Sequence, residues 1–253
     1  MLYFIYDYTF EGLLTAIFDI YNRKVFPDRI QGGHLPVPLF TETYTVVSDP
    51  EKADRVIEGL KKKISRQALH HLFICYLSEI ENIEASLFRY IRKTLESPSG
   101  IEVNFADEDV LFLSKIYKKV QNEAERVKQF VRFQKTADGI YLAIMDPLYN
   151  VLPLCSDFFQ DRYADQSWLV YDSRRNYGLF YDLRKTEVVH FDQPIRPLQT
   201  GKMEDEHLDE SEIAFQRLWN DYLKAITIRE RKNLRLQRQF MPKRFWKYLT
   251  EKQ

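Results

Sequence analysis

Cysteine is almost missing from this chain. Cys75 and Cys155 stand in separate apolar stretches without CxxC spacing, which excludes a disulfide framework and a cysteine-built metal site and reads as two reduced core thiols. Net charge is missing too. The 37 basic and 37 acidic side chains cancel, so attraction to a charged partner has to come from separation of charge along the chain. No apolar run approaches the roughly 18 residues that span a bilayer. The opening residues lack the basic n-region and small-residue cleavage site of a secretory signal, so a cytoplasmic protein without membrane contact is expected. Internal repeats and low-complexity linkers are absent.

Catalytic signatures are absent as well. There is no Walker A loop, no GxGxxG after a strand, no GxSxG and no HExxH. His34, His70, His71, His190 and His207 show no metal-ligand spacing. His70 and His71 occupy consecutive helical positions that cannot easily face one ion, so no metal is assigned. Carboxylate runs such as Asp107-Glu108-Asp109 and Glu204-Asp205-Glu206 read as helix-start and solubility features rather than acid/base pairs. No catalytic residue is assigned.

What is present is enough apolar material for a real core. Of 253 residues 45% are hydrophobic and 15% aromatic, sufficient for one large domain or two lobes. A strand is expected near residues 2–6. Phe10, Leu13, Leu14, Ile17, Phe18 and Tyr21 then recur at helical spacing behind a capping Thr9. Residues 30–43, with Gly32, Gly33, Pro36 and Pro38, read as a loop. Ser48-Asp49-Pro50-Glu51 combines a capping box with a first-turn proline, and a helix follows. Further helices are expected through Leu69 to Ile80, Leu87 to Leu95, and residues 107–132. In the last of these Leu113, Ile116, Tyr117, Val120, Ala124, Val127 and Val131 share one face. Lys115, Lys118, Lys119, Asn122 and Arg126 share the other, a basic stripe whose ordinary reading is a solvated face.

After Asp138-Gly139 the period changes. Segments 140–145, 168–171, 178–182 and 188–191 are short and β-rich and read as an antiparallel meander. Within it Asp165, Gln166, Asp172, Arg174, Arg175 and Tyr177 form a candidate polar ligand site. Two readings are open. Arg174 and Arg175, flanked by Tyr171 and Tyr177, hold phosphates or a base, or they pair with Asp165, Asp172 or Asp182 and fix the turn.

Charge separation is strongest at the end of the chain. From Arg229 to Gln253 nine Lys or Arg face two Glu, interleaved with Phe240, Phe245, Trp246 and Tyr248. Such a mixture offers charge to phosphates and flat faces to bases. Arg229, Arg231, Arg235, Arg238, Lys243, Arg244 and Trp246 are the candidate nucleic-acid-binding residues. The other reading is an amphipathic end whose aromatics dock on the core while its charges stay solvated. Between Lys202 and Asp221 seven acidic residues face two basic ones, and this block could pair with the basic end instead.

Several ordered motifs carry a resemblance. The opening Tyr6-Asp7-Tyr-Thr-Phe10-Glu11-Gly12, the central Asp146-Pro147 and Val151-Leu152-Pro153, the stretch Phe159-Gln-Asp-Arg162-Tyr-Ala-Asp165-Gln166-Ser-Trp168, the run Asp172-Ser-Arg174-Arg175-Asn-Tyr177-Gly178, and the end from Arg229 to Lys247 together resemble the DNA repair and DNA metabolism proteins of the DUF4130 type along the whole chain. The resemblance implies a companion of a radical SAM protein with a DNA-binding region, and a domain elsewhere joined to uracil-DNA glycosylase-like domains. No glycosylase half is recognisable here, since neither a GQDPY-like segment nor an HPSP-like loop is present, so that activity is not carried over. The expectation is a DNA-binding accessory factor to a radical SAM enzyme. The alternatives are a protein adaptor without DNA contact and an enzyme with an unfamiliar site. No cofactor of its own is expected, because an iron–sulfur cluster would belong to the partner. The fold expected is α+β: one compact unit, 1–253, helical over 1–135, a small antiparallel sheet over 136–195, then an acidic segment and a basic helical end over 196–253.

Overall fold

The computed structural model describes residues 1–191 and 205–252. Its chain forms two compact units, Met1–Gln121 and Asn122–Gln253. The expected mainly helical α+β class, with a small and mostly antiparallel sheet in the middle third, is what the structure has.

In the first unit β1 (Leu2–Tyr6) runs between β2 (Arg29–Gly32) and β3 (Glu42–Thr45), both parallel to it. Residues 30–43 are therefore not all loop. Gly32 and the prolines lower strand propensity, but pairing with β1 outweighs it over these short spans. Between β1 and β2 runs α1 (Phe10–Arg23), capped by Thr9, whose Oγ1 accepts from Gly12 N at 2.9 Å. It buries Leu13, Leu14, Ile17 and Ile20. The capping signal at Asp49 starts α2 (Pro50–Lys61), with Asp49 Oδ1 accepting from Glu51 N and Lys52 N. Next come α3 (Arg66–Tyr76), capped by Ser65, and α4 (Ile83–Glu96).

The long helix α5 (Glu108–Phe130) contains the division between the units. Asp107 Oδ1 caps it by accepting from Asp109 N and Val110 N. A charged network ties this start to α4: Arg89 Nη2 lies 2.7 Å from Asp109, and Lys93 Nζ 2.6 Å from Asp107 and 2.9 Å from Asp109. The two cysteines are free and buried. Loss of water around each pushes its thiol up to about 12, so neither is a thiolate at neutral pH.

The second unit carries a five-stranded sheet in the order β4 (Gln134–Lys135), β5 (Tyr141–Met145), β6 (Trp168–Asp172), β7 (Tyr177–Tyr181), β8 (Thr186–His190). The expected meander describes β6 to β8, whose neighbours are antiparallel. β5 and β6 pair in parallel instead, because the connection between them includes a helix, α6 (Ser156–Arg162), which lets the chain re-enter in the same direction. Leu142, Ile144, Tyr171, Leu208 and Tyr248 form one core cluster on this sheet. Apart from this cluster, Trp168, the largest fully buried side chain, has Tyr181 stacked at 5.5 Å and Phe159 edge-on at 5.8 Å. The chain then forms α7 (Glu210–Ile226), capped by Asp209, and α8 (Leu234–Phe240), capped by Asn233. A 3-10 turn over Lys243–Tyr248 follows.

Candidate functional site

Two regions of the second unit concentrate polar chemistry. The first surrounds the loop that leaves β5, residues 146–150. Glu123 lies on the apolar side of α5 with its side chain 1% exposed. Its Oε1 accepts from Leu148 N at 2.9 Å, and its Oε2 meets the Arg244 guanidinium, with Arg126 Nη1 at 3.8 Å. Asp172, fully buried at the end of β6, accepts from the N–H groups of Arg174 and Arg175 at 2.9 and 3.1 Å and pairs with Arg175 Nη1 at 2.9 Å. The same Arg175 donates to the carbonyls of Pro147 and Leu148, and Arg174 Nη1 lies 3.4 Å from the Leu148 carbonyl. Tyr177 donates to Asn150, and Lys247 Nζ lies 2.9 Å from Asp146. One short loop is thus held from α5, from the β6–β7 hairpin and from the end of the chain.

Burial shapes the ionisation here. Loss of solvent pushes the Asp172 carboxyl above its ordinary range, against the opposing charge of Arg175. It also lowers Arg244, although Glu123 favours its cation.

The second region is the basic end. Arg229, Arg231, Arg235, Arg238 and Lys243 are exposed and make no ion pair or side-chain hydrogen bond with any described residue. Exposed Ile228, Leu234, Leu236 and Phe240 stand among them. A groove of about 910 Å³ opens beside this ridge, with Leu223, Ile228, Arg229, Arg231, Leu236 and Phe240 in its lining. Among the described residues no carboxylate of the acidic block pairs with a cation beyond Ile228. Asp209 holds Lys135 at 3.0 Å, and Asp221 holds Lys224 at 3.1 Å.

The structure divides the candidate residues. Arg244 turns inward to Glu123, with its guanidinium also 4.6 Å from the Phe245 ring. Trp246 is half-buried, donates to the Met241 carbonyl at 3.0 Å and carries Lys252 over its ring at 4.9 Å. Phe245 and Tyr248 are buried, as an end docked on a core requires, whereas Phe240 is 66% exposed. Of the six residues of the candidate polar site, Asp172, Arg174, Arg175 and Tyr177 gather around the 146–150 loop, and Asp165 and Gln166 do not join them. Asp165 and Gln166 precede the start of β6 and Asp172 ends it, which separates them by about 16 Å of strand. Of the two readings for the arginine pair, Arg175 follows the turn-fixing one. Arg174 is exposed and has no carboxylate partner among the described residues. Glu123 went unseen in the sequence, though a signal was there: a carboxylate between Val120, Ala124 and Val127 on an otherwise apolar helix face.

Among the described residues no cluster of His, Cys, Asp and Glu is placed to hold a metal ion, and no helix is long and apolar enough to cross a membrane. A family model, that of a domain of unknown function designated DUF4130, matches residues 81–251. The chain belongs to this family. No curated protein matches it. The DUF4130 match takes in α4, the 146–150 loop, the hairpin and the basic end, and leaves out the opening motif around Tyr6 to Gly12.

Proposed function

We propose that this DUF4130 protein is a DNA-binding accessory factor, gripping a strand with the ridge formed by Arg229, Arg231, Arg235, Arg238 and Lys243. The observation that carries the reading is that these cations are exposed and pair with no carboxylate among the described residues, beside exposed apolar side chains. Cations already paired with carboxylates release few counterions on meeting phosphate, whereas unpaired ones contribute fully. Phe240, standing free in the ridge, supplies a face on which a base stacks. The resemblance to DNA repair proteins supplies the context, in which a separate radical SAM enzyme performs the chemistry on the strand presented to it.

The test is fluorescence anisotropy of labelled single- and double-stranded DNA across a salt series, for wild type and an Arg235→Glu/Arg238→Glu variant. Affinity should fall with salt by a log–log slope of roughly 0.7 to 0.9 per phosphate, and the variant should lose both affinity and slope. Salt-insensitive or absent binding by the wild type would count against the grip.

A second reading, a protein adaptor for the same radical SAM partner, is favoured by a different feature. Phe215, Leu218, Tyr222 and Ile226 form an exposed stripe along α7, a face of the kind that docks another protein. Pull-down of the partner by wild type but not by a Leu218→Glu/Tyr222→Glu variant, with DNA binding unchanged in both, would separate this role from the first.

A further inference from the structure

The cluster around the 146–150 loop holds more positive charge than its own carboxylates neutralise. Arg126, Arg174, Arg175, Arg244 and Lys247 face Glu123, Asp146 and Asp172, five cations against three anions. The pairing inside this set is specific. Arg175 belongs to Asp172, Lys247 to Asp146, and Arg244 to Glu123. Among the described residues Arg126 pairs only with the Glu123 oxygen already engaged by Arg244, at the long distance of 3.8 Å. Among the described residues Arg174 pairs with no carboxylate, and its Nη1 lies 3.4 Å from the Leu148 carbonyl. The two guanidiniums are linked through one peptide: Arg174 lies on the Leu148 carbonyl, and Arg126 lies beside the Glu123 carboxylate that accepts the Leu148 N–H. Arg244 lies with them, its Nε buried and without an acceptor.

We propose that Arg126, beside the carboxylate that holds the Leu148 N–H, and Arg174, on the Leu148 carbonyl, form a seat for one phosphate group of a nucleic-acid strand. Two guanidinium forks present planar donor pairs that match phosphate oxygens. The paired arginines and lysine behind them hold that loop, so the seat is preorganised. It also continues the ridge: Lys243, the last of the ridge cations, precedes Arg244, which enters the cluster. This inference rests on the DNA-binding reading and deepens it by adding a fixed anchor to a row of surface charges.

The test compares wild type, Arg126→Gln/Arg174→Gln and Arg235→Glu/Arg238→Glu for binding a labelled single-stranded oligonucleotide across salt. The seat variant should bind roughly tenfold more weakly and show a salt slope shallower by about 0.7. Wild-type affinity and slope in the seat variant, with unchanged circular dichroism, would overturn the seat while leaving the ridge intact. If the wild type binds no oligonucleotide, the ridge reading fails by itself and a second arm decides. Thermal melting is then measured in inorganic phosphate against chloride at equal ionic strength. A phosphate-specific rise in Tm that the seat variant lacks supports a seat for free phosphate and overturns the strand as its source. No such rise overturns the seat. Should the double variant melt early without ligand, the single Arg174→Gln, at an exposed side chain, is carried through both arms and judged by the same outcomes.

Discussion

Glu123 shows how much one buried carboxylate can organise. It satisfies a loop N–H, neutralises a half-buried arginine and is itself 1% exposed. Glu123→Gln keeps an acceptor for Leu148 but strands the Arg244 charge, so the urea midpoint should fall by the equivalent of about 2 to 3 kcal/mol. If the charge pair is the cause, Glu123→Gln/Arg244→Met should recover part of that loss, and strictly additive losses would refute the coupling. Asp109 makes a similar argument through pH. Burial alone raises its carboxyl, but the hydrogen bonds from Arg89 and Lys93 outweigh it and hold the group below its ordinary 3.8. Asp107 is held down chiefly by Lys93. A carboxylate depressed in the folded state contributes stability above its unfolded pKa and loses it as pH falls through the folded one. Melting temperature should therefore drop below about pH 4, and Asp109→Asn should be less stable at pH 7 with a flatter acid limb. An acid limb as steep as wild type in that variant would remove Asp109 from the account.

At the scale of elements, α7 is the anomaly. A helix inside a globular unit buries its apolar stripe, yet Phe215 and Leu218 are 63% and 64% exposed. Because they contact little, Phe215→Ser/Leu218→Ser should change folding stability by less than about 0.5 kcal/mol in urea. A larger loss would mean that the face is covered in the folded protein. The opposite holds for α2, where Asp49→Ala removes the cap and should cost about 1 kcal/mol. Elements set by local chemistry were legible in the sequence: Thr9, Asp49 and the turn residues before β6–β8 write their own boundaries. The β2–β1–β3 sheet was not, because parallel pairing is a long-range event and the Gly32 to Pro38 stretch carries a local signal for a loop. The basic ridge was legible as composition, but its division was not. Whether Arg244 points to solvent or to Glu123 depends on a residue 121 positions earlier in the chain, and no local pattern encodes that distance. The polar candidates divide in the same way, since Asp165 and Asp172 are close in sequence and a strand apart in space, while Asp172, Arg174, Arg175 and Tyr177 meet at the 146–150 loop.

For the whole molecule, the division at residue 121 yields a prediction that the distribution of tryptophan makes easy to check. Trp168, Trp219 and Trp246, all the tryptophans the chain has, fall in the unit Asn122–Gln253. Tryptophan fluorescence therefore reports that unit alone, while far-ultraviolet circular dichroism also records α1 to α4 in the other. Each unit has its own buried core, Leu13, Ile17, Leu60 and Ile74 in the first and Trp168, Tyr171 and Phe245 in the second. Separate cores tend to open as separate cooperative units. The charge networks differ too, since Asp107 and Asp109 act within the first unit and Glu123 within the second. In urea at pH 7 the fluorescence and dichroism transitions should not coincide, and Glu123→Gln should move the fluorescence midpoint more than the dichroism one. Superimposable transitions that shift together in the variant would mean that α5, which both units share, couples them into one two-state system.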